Sequence, residues 1–364
     1  MLDDNDLEAA VVEGIISAAQ AEKLRTFVGS SRAVAERADD ERFRFMRGFN
    51  DFFFAVGIVL LGAGMGFFTG TSPIKNLIAA AIIWGLAEFL VKRLRLVLPG
   101  ILLVCLFWFF IFQMVEFDWA HVWQVIGLRP QLLSQFTIFG QLSPVAIVGK
   151  ALIAGLAAAA FYARFRLPFA LLVIAGSGVL LVTTLFGSIL FPSAATFSSI
   201  LLICGLAVFW AAMAYDLSDS KRVTRASDCA FWLHLLAAPL IVHSLIGLVV
   251  PKAGGLFGAT AMTMTSAVAI FAIVAVLTAI AVLIDRRALL VSALTYLGVA
   301  IGYAITSAVR VGANDRPIIF FATLLILGAL VLALGAGWQP LRRLFLRLFP
   351  ASVVNRLPPV AYSA

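Results

Sequence analysis

Ten stretches of this chain are each long and apolar enough to cross a bilayer, and they constrain the fold more than any other feature. A helix rises about 1.5 Å per residue, so about 20 apolar residues cover the roughly 30 Å of hydrocarbon. The runs lie near 52–71, 76–91, 96–115, 145–163, 167–187, 196–215, 229–250, 265–284, 288–308 and 318–338. In hydrocarbon every backbone N–H and C=O must be satisfied inside the element, so such runs are helices. The predicted fold class is all-α, a polytopic membrane protein with about ten transmembrane helices. Composition agrees: 62% of residues are hydrophobic and 13% charged, against about 25% charged in soluble domains. A soluble globular domain, a disordered chain and a disulfide scaffold are excluded.

Orientation follows from Lys and Arg between the runs. The segment before the first run and the connections on its side, with the C-terminal tail, hold 21 basic residues, and the opposite connections hold 5. Both termini are therefore expected in the cytoplasm. The net charge of +8 reads as this bias and as attraction to anionic lipid at the cytoplasmic face, not as nucleic-acid binding. Cys105, Cys204 and Cys229 lie in or beside apolar runs without metal-type spacing and read as packing residues.

Three regions are expected. Residues 1–49 carry 10 of the 19 acidic and 7 of the 27 basic residues, a net −3, and form a cytoplasmic helical hairpin head. Gly14 stops a first helix, Ser17 and Gln20 make a capping box for a second, and a charged helix over 32–47 leads to the membrane. The hairpin is too small for a stable core of its own, so self-association is one expected role. Residues 50–338 form the ten-helix transmembrane domain. Residues 339–364 hold a basic amphipathic interfacial helix, with Leu341, Leu344, Phe345, Leu348 and Phe349 on one face and Arg342, Arg343 and Arg347 on others. The long outside connection 117–144, with Trp119 and Trp123, reads as an interfacial segment. Arg47, Arg95, Arg166, Arg225 and Arg287 each open an outward-going run, which suggests repeated two-helix units (1–2, 3–4 and so on). Five helices plus five inverted is the other reading.

Ionisable groups inside a membrane are costly and are candidate sites by default. Asp51, Glu88 and Asp228 lie at the cytoplasmic edge. Asp51 and Asp228 suit positive helix N-termini, and Glu88 is expected to pair with Lys92 one turn on. Lys150 is expected to snorkel to the outer edge. His234 and His243 share the seventh run but stand about 180° apart, with Pro239 between them. Gly62, Gly66, Gly70, Gly298 and Gly302, with Gly176-Ser-Gly178 in the fifth run, suit close packing, and Gly176-Ser-Gly178 is also the candidate broken helix of a transporter. No Walker, dinucleotide, HExxH or GxSxG pattern occurs, so no catalytic residue, metal site or cofactor is predicted.

Val11-Val-Glu-Gly-Ile-Ile-Ser-Ala-Ala-Gln-Ala-Glu-Lys-Leu24 resembles the GxIS-x-x-QA-x-x-L head of a bacterial integral membrane family defined as domain of unknown function twenty-one fifty-seven. Gly337-Trp-Gln-Pro-Leu-Arg-Arg343 is similar to that family's tail. The resemblance implies a bacterial inner-membrane location and supplies no site residues. The expected function is transporter-like or permease-like for an unknown solute. The alternative is a non-transporting scaffold, or an envelope-stress or signalling protein acting through its head.

Overall fold

The computed structural model describes residues 11–24, 26, 49–115, 144–190, 193–219, 224–249, 263–309 and 316–350. The charged helix expected over 32–47, most of the connection 117–144 and the tail beyond 350 lie outside these residues. Among the described residues, ten long helices fall where the apolar runs lie. They are α1 (Phe49–Thr69), α2 (Pro73–Ala87), α3 (Val97–Met114), α4 (Pro144–Phe165), α5 (Phe169–Val182), α6 (Ala194–Ser218), α7 (Arg225–Val249), α8 (Met264–Ile284), α9 (Ala288–Val309) and α10 (Arg316–Ala336). A short α11 (Trp338–Leu346) follows. Among the described residues, nine helices meet the length and hydropathy of a membrane span.

Two helices continue in π-helical turns, α2 over Glu88–Arg93 and α5 over Thr183–Leu190. The candidate break at Gly176 and Gly178 does not form: α5 runs through both, and the irregular winding begins at Thr183. A Cβ at Gly176 or Gly178 would meet nothing within 4 Å, so neither glycine supports a close approach. Buried Ser177 between them makes the contact instead. Its hydroxyl accepts from Trp108 Nε1 at 2.7 Å and donates to the Val173 carbonyl at 2.8 Å.

The best-packed neighbours are α2 with α3, α4 with α5, α6 with α7, and α8 with α9. The expected two-helix units are thus shifted by one helix, because the tight connections lie on the arginine-rich face. Three of these turns share one device, a non-glycine residue in the left-handed region: Arg95 (φ 56), Arg166 (φ 52) and Asp285 (φ 58). Each closes a helix end by turning a backbone N–H onto an orphan carbonyl; Arg166 N–H, for example, donates to Tyr162 O at 2.8 Å. In the fourth, Asp219 accepts from both the N–H and the hydroxyl of Thr224 at 2.7 Å.

Among the described residues the interior has two larger centres, beside a smaller cluster around Trp338. One, built by α1 to α5, is rich in rings: Trp84, Phe107, Phe110 and Phe161. The other, built by α6 to α9, is aliphatic, with Ala237, Ile241, Val242, Ile270, Leu297 and Ala300. Between them α5 touches α7, where Phe169 stands edge-on to Trp232, 4.6 Å between centroids. In the head, the capping box forms as expected. Ser17 N–H donates to Gln20 Oε1 at 2.8 Å and Gln20 N–H to Ser17 Oγ at 3.3 Å. Gly14 takes φ +71 at the preceding turn.

Candidate functional site

An aspartate in the last turn of a helix faces the negative end of the helix dipole and calls for a cation. Asp216 occupies that position in α6, among apolar neighbours. Its Oδ2 lies 2.8 Å from Nε2 of His234 on α7 and accepts from Arg286 Nε at 3.1 Å. Arg286 Nη2 donates to Oδ1 of the same carboxylate. The guanidinium also reaches the carbonyl and hydroxyl oxygens of Ser227, each at 3.4 Å. His234 is fully buried and Arg286 is 2% exposed. One carboxylate therefore ties α6, α7 and the α8–α9 turn together.

Sequence order puts a second carboxylate, Asp285, next to Arg286. Asp285 ends α8 in the left-handed conformation, and the Arg286 N–H returns to Ala281 O at 2.9 Å, so the two side chains diverge. Asp285 accepts from Trp338 Nε1 at 2.7 Å and lies 3.6 Å from Arg342 Nη1, both on α11. Arg287 lies over the Trp338 ring, 5.3 Å from its centroid. Burial lowers the Arg342 pKa from its ordinary value, and the facing Asp285 acts in the opposite direction.

Arg342 is a correction to the expected amphipathic pattern. It is fully buried, whereas Leu344 and Leu348 are exposed. Leu341 and Phe345 pack inward with Trp338 against Leu289 and Ala238. The helix leaves apolar residues exposed and turns an arginine inward, where the Asp285 carboxylate faces it.

The other predicted positions do not gather into one site. His243 points to α9, where its Nδ1 lies 2.6 Å from the Tyr296 hydroxyl. The opposed faces expected for His234 and His243 thus have separate partners. Glu88 pairs with Arg164 of α4 at 2.8 Å instead of Lys92, since its flank of the helix faces α4 while Lys92 is exposed. Lys150 turns inward instead of snorkelling: it is buried, and its Nζ donates to the Phe112 carbonyl at 3.2 Å. That carbonyl belongs to the last turn of α3, where backbone acceptors need outside donors. Asp51 is buried in the first turn of α1, and Asp228 is exposed in the first turn of α7. Among the described residues no group of three or more His, Cys, Asp or Glu could hold a metal ion.

Sequence reading missed Asp216, Arg286, Arg342 and Tyr296. Only Asp216 carried a local signal, an acid at the wrong end of a helix dipole. No protein-family profile, curated protein or solved structure matches the chain.

Proposed function

We propose that the chain is a permease-like protein of the bacterial inner membrane, acting on an unidentified solute. Its ion-responsive part is the Asp216–His234–Arg286 centre. The observation that carries this reading is the buried carboxylate shared between an imidazole and a guanidinium at the end of a membrane-spanning helix. Such clusters are expensive in an apolar medium, and ion and proton paths are where membrane proteins use them. A carboxylate bonded to histidine Nε2 can exchange a proton with it, and the arginine holds the carboxylate in place through either state. The inner-membrane location rests on the resemblance carried by residues 11–24 and 337–343. Anionic lipid at the arginine-rich face and self-association through the N-terminal hairpin belong to the same proposal.

One observation favours the second reading, a non-transporting scaffold or envelope-stress protein signalling through its head. Along α7 between the two histidines, Ala237, Ala238, Ile241 and Val242 are buried in packed apolar clusters. Single cysteines from Leu236 to Leu248, with Cys105, Cys204 and Cys229 replaced, separate the two readings in intact cells with an impermeant thiol reagent. Labelling at every third or fourth position deep into α7 is the result expected of a permease. Labelling confined to the outer end overturns the permease reading.

A further inference from the structure

Consecutive helices joined by three residues usually pack along their length, but α1 and α2 do not. Their connection, Gly70–Ser72, is rigid: Gly70 has φ +51, and Asn76 Nδ2 donates to the Gly70 and Ser72 carbonyls, each at 3.0 Å. From that apex α1 leans toward α3. Gly62 allows this, since a Cβ there would stand 2.6 Å from Leu106 Cδ2. Between α1 and α2 the lean leaves a groove of about 470 Å³, within the usual range for small-molecule sites. Its walls are Leu60, Phe68, Ile78 and Ile82, with Gly64 opening the α1 side and Lys75 at the apex end. A Cβ on Gly64 would meet nothing within 4 Å.

We propose that this groove binds one anionic phospholipid, with an acyl chain between α1 and α2 and the headgroup phosphate at Lys75. Three features point to that occupant. The groove follows α1 from Thr69 to Leu60, about 14 Å at 1.5 Å per residue. That matches one leaflet, half of the roughly 30 Å hydrocarbon. The lining is almost wholly apolar, and the Thr69 hydroxyl is turned onto the Gly66 carbonyl at 3.3 Å, so hydrocarbon fits and water does not. The one cation in the lining, Lys75, is exposed and sits three residues past the turn, at headgroup depth. Bulk lipid would coat any open face; two helical walls with a cation at one end select a lipid.

Native mass spectrometry of the purified full chain, released from nanodiscs of mixed phosphatidylcholine and phosphatidylglycerol, tests the site. One phosphatidylglycerol should be retained in preference to phosphatidylcholine. Lys75→Ala should lower that preference about fivefold, the effect of losing one cation at the surface, and Lys75→Arg should keep it. Gly64→Leu should abolish retention by filling the groove. Gly57→Leu, on the same helix and also facing open space, should leave it unchanged. Equal retention of the two lipids by the native chain, or native retention in both Lys75→Ala and Gly64→Leu, overturns the proposal. Circular dichroism reports whether each variant folds. If Gly64→Leu does not, the preference measured in folded Lys75→Ala decides.

Discussion

The α2–α5 and α6–α9 halves of the bundle solve one problem in different ways. Lipid tails are as apolar as leucine, so membrane helices gain little by hiding apolar surface from lipid and must be held by shape or by polar contacts. The first half uses rings. Phe161 has centroids 4.4 Å from Phe165, 5.6 Å from Phe107 and 5.8 Å from Trp84. The second half uses charge and small residues. Asp216 joins three elements, and α6 approaches α7 so closely that a Cβ on Gly205 would lie 3.0 Å from Leu240 Cβ and 3.1 Å from the Ile241 nitrogen. Ring packing tolerates gradual repacking, whereas a buried ion cluster fails when one member is lost. The second half therefore has the geometry for a switch and the first the geometry for a frame.

Substitutions that break this contrast should differ in size. The largest effect is expected for Asp216→Ala, which leaves Arg286 buried without its carboxylate. Breaking a buried pair this way costs about 3–5 kcal/mol, readable as a fall in the unfolding midpoint in detergent. Phe161→Ala should cost about 2 kcal/mol by the same assay. The cavity remains, but in an apolar surrounding the transfer part of the usual Phe→Ala loss is small. Gly205→Ala should cost about 1–2 kcal/mol, because the nearest atoms are backbone and Cβ and cannot swing away. Tyr296→Phe removes the partner of His243 and should cost about 0.6 kcal/mol, typical of a hydrogen bond between membrane helices. Gly176→Ala should change stability by less than about 1 kcal/mol, and in the stabilising direction, since it faces open space within a helix. If Gly176→Ala proves as harmful as Gly205→Ala, the contrast in packing between the halves is wrong.

How much of this was legible in the sequence depended on range. The ten helices were, because 20-residue apolar runs are local. So were the Ser17–Gln20 capping box and the Gly14 turn, which span three or four residues. The placement of α11 was half legible: its apolar spacing could be counted, but the inward turn of Arg342 depends on Asp285, 57 residues earlier. Asp216 and Arg286 are 70 residues apart, and in a count of loop charges Arg286 looks like any other loop arginine. The glycines show the same limit. Gly176 and Gly178 stand out by spacing and meet nothing, while Gly205 and Gly247 pack against neighbouring helices. Spacing along one helix does not say which face meets another. His234 was singled out because an ionisable group in an apolar run is costly without a partner, but the partner could not be named.

Asp216 and Arg286, joined through both carboxylate oxygens, should act as one unit. A double-mutant cycle with Asp216→Asn and Arg286→Met, read by unfolding midpoint in a fixed detergent, tests it most directly. Each single change should be strongly destabilising and the pair should cost little more than either alone, a coupling of at least about 1.5 kcal/mol, as for close charge pairs elsewhere. Effects that simply add would contradict it.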